Sequence, residues 1–169
     1  MERAGVSKSQ LYHYFEERAA LLRAVVVHNA DGVLGNLGPL DSWKAIRSWF
    51  DSMVELQVER HARGGCPIGS LVPQLAEADA QARLMLAASY TRWEEHLRDG
   101  LRSMQARRKL DRRADPGELA TATMAAIQGG LLLTQTRRDP GQLAIALDAA
   151  YTHLRAHRAA ARRRVPRPR

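Results

Sequence analysis

The fold is decided by Ala4-Gly5-Val6-Ser7-Lys8-Ser9-Gln10-Leu11-Tyr12-His13-Tyr14-Phe15, which reads as a turn followed by a short amphipathic helix. Gly5 can adopt the positive φ that ends one helix, and the Ser7 side chain can accept the amide hydrogens that begin the next. Beyond Ser7, Leu11 and Phe15 share one apolar face, and the polar residues around them point elsewhere. Their donors and acceptors suit base edges, so the pattern predicts the recognition helix of a helix-turn-helix.

A longer run, residues 2–22, resembles the second half of the DNA-binding domain of the TetR family of transcriptional regulators. In that family a helix ends in Ala-Gly before a Val-Ser turn, the recognition helix ends in an aromatic-x-Tyr-Phe run, and a basic residue opens the long next helix. The matching positions here are Ala4-Gly5, Val6-Ser7, Tyr12-His13-Tyr14-Phe15 and Arg18. Less specifically, the Gly-Cys-Pro-hydrophobic-Gly-Ser-Leu run at residues 65–71 resembles a segment of one branch of the family.

This resemblance implies an all-α fold, in which a helix-turn-helix head is joined by a long helix to an antiparallel helical bundle that binds a ligand and dimerises. Family members have a first helix and most of a second helix before the matched run. With Met1 as the first residue, we therefore expect a truncated head. The expected divisions are 1–22 for the partial DNA-binding domain, 23–157 for the ligand-binding and dimerisation domain, and 158–169 for a basic disordered tail.

Carried over position by position, the resemblance assigns contacts with double-stranded operator DNA to seven residues. These are Lys8, Ser9, Gln10, Tyr12, His13, Tyr14 and Arg18. The two tyrosines would reach phosphates through their hydroxyls, and Arg18 would bind a phosphate at the start of the next helix. The alternative for Tyr14 is packing on the first helix of the head. Glu16 and Glu17 would repel phosphate if they faced it.

Composition is typical of a soluble helical protein, and the expected location is the cytoplasm. Its 169 residues are 45% hydrophobic, and no apolar run or N-terminal pattern indicates a membrane span or a signal peptide. A single cysteine, Cys66, excludes an internal disulfide. The net charge of +8 is concentrated in residues 155–169, which hold seven arginines and no acid. This tail is either a solvated end or a source of nonspecific attraction to phosphate.

Apolar residues spaced by three and four predict helices over about 18–34, 42–61, 67–76, 79–107, 116–136 and 140–157. Asp41 or Ser42 is the expected N-cap of the second of these helices, and Asp115 that of the fifth. Gly129 and Gly130 fall inside the fifth helix, where each glycine costs about 1 kcal/mol relative to alanine. We expect the close approach of another helix to offset this cost.

The predicted ligand cavity is mostly apolar, which favours an aromatic or lipophilic ligand. Its residues are Trp49, Met53, Cys66, Leu71, Tyr90, Trp93 and Gln128. For each aromatic residue the alternative role is core packing. For Cys66 the alternatives are a buried small hydrophobe and a thiol sensor.

The last two helices resemble the pair with which family members build a four-helix bundle across a two-fold axis. The resemblance assigns the homodimer interface to Ala122, Ala126, Gly129, Gly130, Leu143, Leu147, Ala150 and Leu154. A two-fold dimer is also what two recognition helices need to enter major grooves about 34 Å apart.

No combination of residues in the chain indicates an enzyme, a cofactor or a metal site. His153 and His157 have the spacing of helix-borne metal ligands, but no nearby acid or cysteine completes a set. We therefore expect a ligand-responsive repressor that a small molecule releases from its operator. The alternatives are a DNA-binding-defective fragment that acts only as a ligand-binding or dimerisation module, and a helical enzyme.

Overall fold

The computed structural model describes residues 37–159 and, before them, residues 20, 21, 24, 25, 27 and 28. Those six early residues are helical, inside the helix predicted over 18–34. The later helices are α1 Trp43–Glu59, a 3-10 turn Gly69–Leu71, α2 Val72–Leu75, α3 Ala80–Ala106, α4 Pro116–Arg137 and α5 Gly141–Ala156. The described residues contain no strand, only an isolated bridge between Leu110 and Arg158. The all-α prediction is confirmed.

The chain divides into two compact units. The first unit comprises Met1–Leu37 and Gly64–Trp93, and the second comprises Gly38–Arg63 and Glu94–Arg169. The second unit therefore holds α1, α4 and α5, together with the C-terminal part of α3. Among the described residues, no helix has the length and apolar character that crossing a membrane requires.

The helix starts follow the predicted caps. The Ser42 hydroxyl accepts a hydrogen bond from the Ala45 amide at 3.1 Å, and α1 begins directly after it. The Asp115 carboxylate accepts from the Gly117 amide at 2.7 Å, with Pro116 at the first helical position of α4. A side-chain oxygen thus satisfies an amide at each helix start, as local sequence predicted.

The helical segment predicted over 67–76 is present over residues 69–75 but is not one regular α-helix. The three-residue 3-10 turn runs directly into the four-residue α2. Pro73 is the physical reason, because its ring clashes with the carbonyl four residues earlier and it has no amide hydrogen for an uninterrupted helix. It is tolerated near the start of α2, where that hydrogen has no partner in the helix.

The centre of the second unit is the contact between α4 and α5. A Cβ built on Gly130 would lie 2.9 Å from Leu143 Cδ1 and 3.0 Å from Ala146 Cβ. The close helix approach predicted from the glycine pair is therefore confirmed at Gly130, whereas nothing lies within 4 Å of such a Cβ on Gly129. On its other side α5 packs against α1, where the Tyr151 hydroxyl donates to the Trp43 carbonyl at 3.2 Å.

A second close approach, which sequence reasoning missed, joins α3 to the segment before α1. A Cβ on Gly100 would overlap the Leu40 carbonyl oxygen and lie 2.6 Å from the carbonyl carbon. Leu40 is only 3% exposed. Two side chains at the C-terminal end of α3 and just beyond it hold the same segment. His96 Nε2, on α3, is 2.9 Å from the Gly38 carbonyl oxygen, and Arg107, the first residue after α3, forms an ion pair with Asp41 at 2.8 Å.

Candidate functional site

The residues predicted to contact DNA are all outside the part of the chain that the structure describes. This applies to Lys8, Ser9, Gln10, Tyr12, His13, Tyr14 and Arg18. Their roles remain predictions from sequence.

Four of the predicted ligand-binding residues belong to the first unit, and the structure brings two of them together. Cys66 is 6% exposed and forms a side-chain hydrogen bond with the half-buried Tyr90. Burial raises the pKa of the Tyr90 phenol, and the contact with Cys66 raises it further, so the phenol stays neutral. Trp93 is buried at 5% exposure, and Leu71 is half-buried after the turn that Cys66 stabilises by accepting from the Gly69 amide.

The other three predicted ligand-binding residues belong to the second unit. Trp49 and Met53 lie one turn apart on α1, and Gln128 lies on α4. Trp49 is 8% exposed and packs against the Phe50 ring at a centroid distance of 5.3 Å. Met53 and Gln128 are half-buried. These contacts show that Trp49 packs in the core, and its role as a ligand contact stays a prediction.

A surface pocket of about 440 Å³ lies between α1 and α5 and shares no residue with the predicted cavity. Its apolar lining is Phe50, Val54, Ala144 and Leu147, and its polar lining is Arg47, Asp51, Glu55 and Asp148. Arg47 donates to Asp148 at 2.6 Å and lies 4.7 Å from the centre of the Tyr151 ring. The Arg47 guanidinium therefore already has an acidic partner and an aromatic partner within the same chain.

In the part of the chain that the structure describes, the polar residues do not assemble a metal centre. No group of three or more His, Cys, Asp and Glu residues there could hold a metal ion. The rings of His153 and His157 meet edge to face with their centroids 5.3 Å apart.

Five of the predicted interface residues are buried within the single chain. Leu143, Leu147 and Leu154 are at most 1% exposed, and Ala150 is 8% exposed. Gly130 is covered by α5. Their assignment to a dimer interface stays a prediction, because apolar periodicity marks the face that is buried but does not say whether a helix of the same chain or a second protomer covers it.

The three remaining interface residues lie on or beside an exposed apolar surface. Ala122 and Gly129 are exposed and Ala126 is half-buried. We use the name outer face for the exposed apolar and small residues of α4 and α5, which are Ala122, Ala125, Gly129, Leu132, Leu133, Ile145 and Ala149. Its three large side chains are strongly exposed, with Leu132 at 64%, Leu133 at 42% and Ile145 at 69%. Sequence reasoning missed these three, although the apolar character of α4 on all sides was a signal for a second buried face.

Comparison with known proteins identifies relatives of most of the chain. Residues 42–160 match the family model described as "Transcriptional regulator LmrA/YxaF-like, C-terminal domain". A relative in Lactococcus lactis subsp. lactis, an uncharacterized HTH-type transcriptional regulator in the lacX 3′ region, is 26% identical over 148 residues. The alignment covers 82% of this chain and 72% of the relative.

Solved structures share the fold. A TetR transcriptional regulator from Chloroflexus aurantiacus J-10-FL superposes with a TM-score of 0.79 at 21% identity, covering 95% of this chain and 84% of the other. The regulatory protein TetR from Rhodobacter sphaeroides gives 0.74 at 24% identity, covering 90% and 84%. The reduced form of E. coli NemR gives 0.74 at 18% identity, covering 94% and 83%.

Proposed function

The chain belongs to the TetR family of transcriptional regulators, and on this premise we propose that it is a DNA-binding repressor which a small lipophilic or aromatic ligand releases from its operator. The observation that carries the proposal is the presence, in one chain, of the recognition stretch at residues 4–15 and the family's regulatory domain at residues 42–160. One part reads DNA and the other responds to a ligand.

The repressor acts as a homodimer that buries the outer face. Burying a leucine or isoleucine side chain contributes about 1.5–3 kcal/mol, and each protomer exposes Leu132, Leu133 and Ile145 there. Two-fold pairing of the same surface buries both sets at once. The small residues Ala125 and Gly129 leave room for a partner helix to approach.

Ligand response is a shift between two arrangements of the dimer. A ligand that binds one arrangement more tightly changes the separation of the two heads and lowers operator affinity by its differential affinity. The proposed ligand contacts in the first unit are Cys66, Leu71, Tyr90 and Trp93. Those in the second unit are Trp49, Met53 and Gln128.

Electrophoretic shift of the upstream intergenic DNA tests the function. We expect a complex that persists at the higher of two salt concentrations and dissociates when an effective ligand is added, because base contacts survive salt better than phosphate contacts. Ligand binding without any salt-resistant DNA complex would instead support a module that only binds ligands or dimerises. A reporter gene that the protein activates would contradict the repressor role.

Tryptophan fluorescence tests the ligand contacts. Titrations of aromatic and lipophilic compounds are compared between the parent chain, Trp49→Phe and Trp93→Phe, with Trp43→Phe as control because Trp43 is covered by Arg155. We expect Trp49→Phe and Trp93→Phe to weaken binding and Trp43→Phe to leave it unchanged. Parental affinity in both test variants would eliminate these two contacts.

Sedimentation tests the dimer. The double variant Leu132→Glu/Ile145→Glu should sediment as a chain of 18.8 kDa, and the parent at twice that mass. Leu84→Glu is the matched control, because Leu84 is 59% exposed on α3 and outside the outer face. A double variant as dimeric as the parent would remove the outer face from the interface.

A further inference from the structure

The turn between α3 and α4 presents a dense group of cations. Residues 107–113 contain Arg107, Arg108, Lys109, Arg112 and Arg113, and all five are exposed. The same seven residues contain a single acid, Asp111. The Asp111 carboxylate is already in use, because it accepts a hydrogen bond from the backbone amide of Arg113 at 2.9 Å.

Backbone contacts hold this turn against the end of α5 and bring further cations to it. The Asp111 amide donates to the His157 carbonyl at 2.8 Å, and the Ala159 amide donates to the Lys109 carbonyl at 3.1 Å. Between these two bonds, Leu110 forms the bridge to Arg158 and is fully buried at 0% exposure.

A side-chain amide fixes the turn from the other side. Gln105 Nε2 donates to the carbonyls of Asp111 and Ala114, at 2.9 Å in both cases. The turn is therefore anchored by backbone hydrogen bonds, the Gln105 amide, the Asp111 carboxylate and one buried leucine. The side chains of Arg108, Lys109, Arg112 and Arg113 form no ion pair with any described residue.

Most of these cations have no acidic partner. Arg107 pairs with Asp41, whereas six others form no ion pair with any residue that the structure describes. We call these six the cationic platform: Arg108, Lys109, Arg112, Arg113, Arg155 and Arg158. Arg155 lies 5.4 Å from the centre of the Trp43 ring, a contact that keeps its full positive charge. Six like charges on a fixed framework repel one another, and a polyanion relieves that repulsion.

We propose that the cationic platform binds the phosphate backbone of duplex DNA, as a second and sequence-independent attachment on the regulatory domain. Duplex DNA offers closely spaced negative charges, and each cation that neutralises a phosphate releases a condensed counterion. Exposed arginine and lysine side chains are the usual phosphate ligands. The choice of DNA among polyanions rests on the proposed function; the platform itself rests on the geometry of the turn and α5.

The salt dependence of binding to a duplex without an operator tests this proposal. Fluorescence anisotropy of the full chain gives the slope of log affinity against log salt, which changes by about 0.9 for each phosphate contact. The platform variant is Arg108→Gln/Lys109→Gln/Arg112→Gln/Arg113→Gln. The matched control removes four exposed cations elsewhere and is Lys44→Gln/Arg60→Gln/Arg63→Gln/Arg83→Gln. Thermal unfolding confirms that both variants fold.

We expect the slope to fall by roughly two to four in the platform variant and by less than about one in the control. Equal slopes for the two variants would overturn the platform, since net charge alone would then explain binding. It would also be overturned if replacing the five arginines of residues 160–169 abolished the whole slope. Displacement by polyglutamate as effective as displacement by unlabelled DNA of equal charge would favour an acidic protein partner instead.

The same measurements separate this proposal from the proposed function. A chain that shows no preference for any operator, yet keeps the platform-dependent slope, contradicts operator reading and supports the platform. A platform variant that binds both operator and random duplex as the parent does contradicts the platform and leaves the repressor function intact.

Discussion

Replacing Gly100 with alanine tests how tightly α3 packs against the segment before α1. The new methyl group would lie 2.6 Å from the Leu40 carbonyl carbon, well inside the 3.5–4.0 Å of an ordinary carbon contact. Because the obstacle is backbone, no side chain can turn away, and we expect the segment to move.

Moving the segment disrupts three interactions, and their free energies set the cost. Exposing Leu40 costs about 1.5–3 kcal/mol. The His96 contact with the Gly38 carbonyl and the Arg107 contact with Asp41 are worth about 0.5–1.5 kcal/mol each. The higher helix propensity of alanine stabilises α3 by about 1 kcal/mol, which offsets part of this cost. The net expectation is a destabilisation of about 1.5–5 kcal/mol.

Urea unfolding followed by circular dichroism, at one fixed protein concentration, measures this change. Arg102→Ala is the control, because Arg102 is an exposed residue of the same helix whose ion pair with Asp99 is on the surface, and it should change stability by less than about 1 kcal/mol. Leu40→Ala combined with Gly100→Ala should cost less than the sum of the single changes, since the alanine at 100 has already displaced Leu40. A Gly100→Ala variant as stable as the parent would refute the reasoning.

Two further predictions concern the α4–α5 connection. The Thr134 hydroxyl accepts a hydrogen bond from the Leu143 amide at 3.0 Å in a buried site. Thr134→Val should therefore lower the free energy of unfolding in urea by about 1–3 kcal/mol. The control Thr136→Val, at an exposed position, should lower it by less. Equal losses would contradict this. Hydrogen bonds from the Gln142 side chain and, to a smaller extent, from the Gly141 amide lower the pKa of the Asp139 carboxyl. The contribution of Asp139 to folding stability is therefore complete above the ordinary Asp pKa, and it is lost as the pH falls through the lowered pKa of the folded state. The stability difference between parent and Asp139→Ala should therefore narrow towards acid pH, and a difference independent of pH would contradict the assignment.

The starts of α1 and α4 could be predicted from sequence, because an N-cap is decided within one turn of the chain. Ser42 and Asp115 each needed only an oxygen placed before a run of helix-forming residues, and both cap their helices as expected. Where local signals competed, the helix type was not predicted: Pro73 lies in the first turn of α2, and the residues before it form a 3-10 turn rather than an α-helix.

Contacts between residues far apart along the chain could not be predicted from the sequence. The lining of the α1–α5 pocket includes the pair Arg47 and Asp148, 101 residues apart, and neither residue type singles out the other. The packing of Gly100 on Leu40 is a similar case, because a glycine in a helix signals a close neighbour without identifying it. The same limit applies to Leu143 and Leu147, whose apolar spacing predicts burial on α5 without saying which helix covers them.

The adjacent glycines of α4 differ in what lies beside them in the single chain. Each costs the helix about 1 kcal/mol relative to alanine. At Gly130 that cost is offset inside the chain, because α5 approaches so closely that a methyl group would meet Leu143 and Ala146. At Gly129 no described residue beyond its chain neighbours and the helix's own backbone lies within 4 Å of such a methyl group, so no contact that the structure describes offsets the same cost. Leu132 is nearly one turn further along the exposed side and is itself 64% exposed. A second protomer packed against Gly129 and Leu132 would account for both the uncompensated glycine and the exposed leucine.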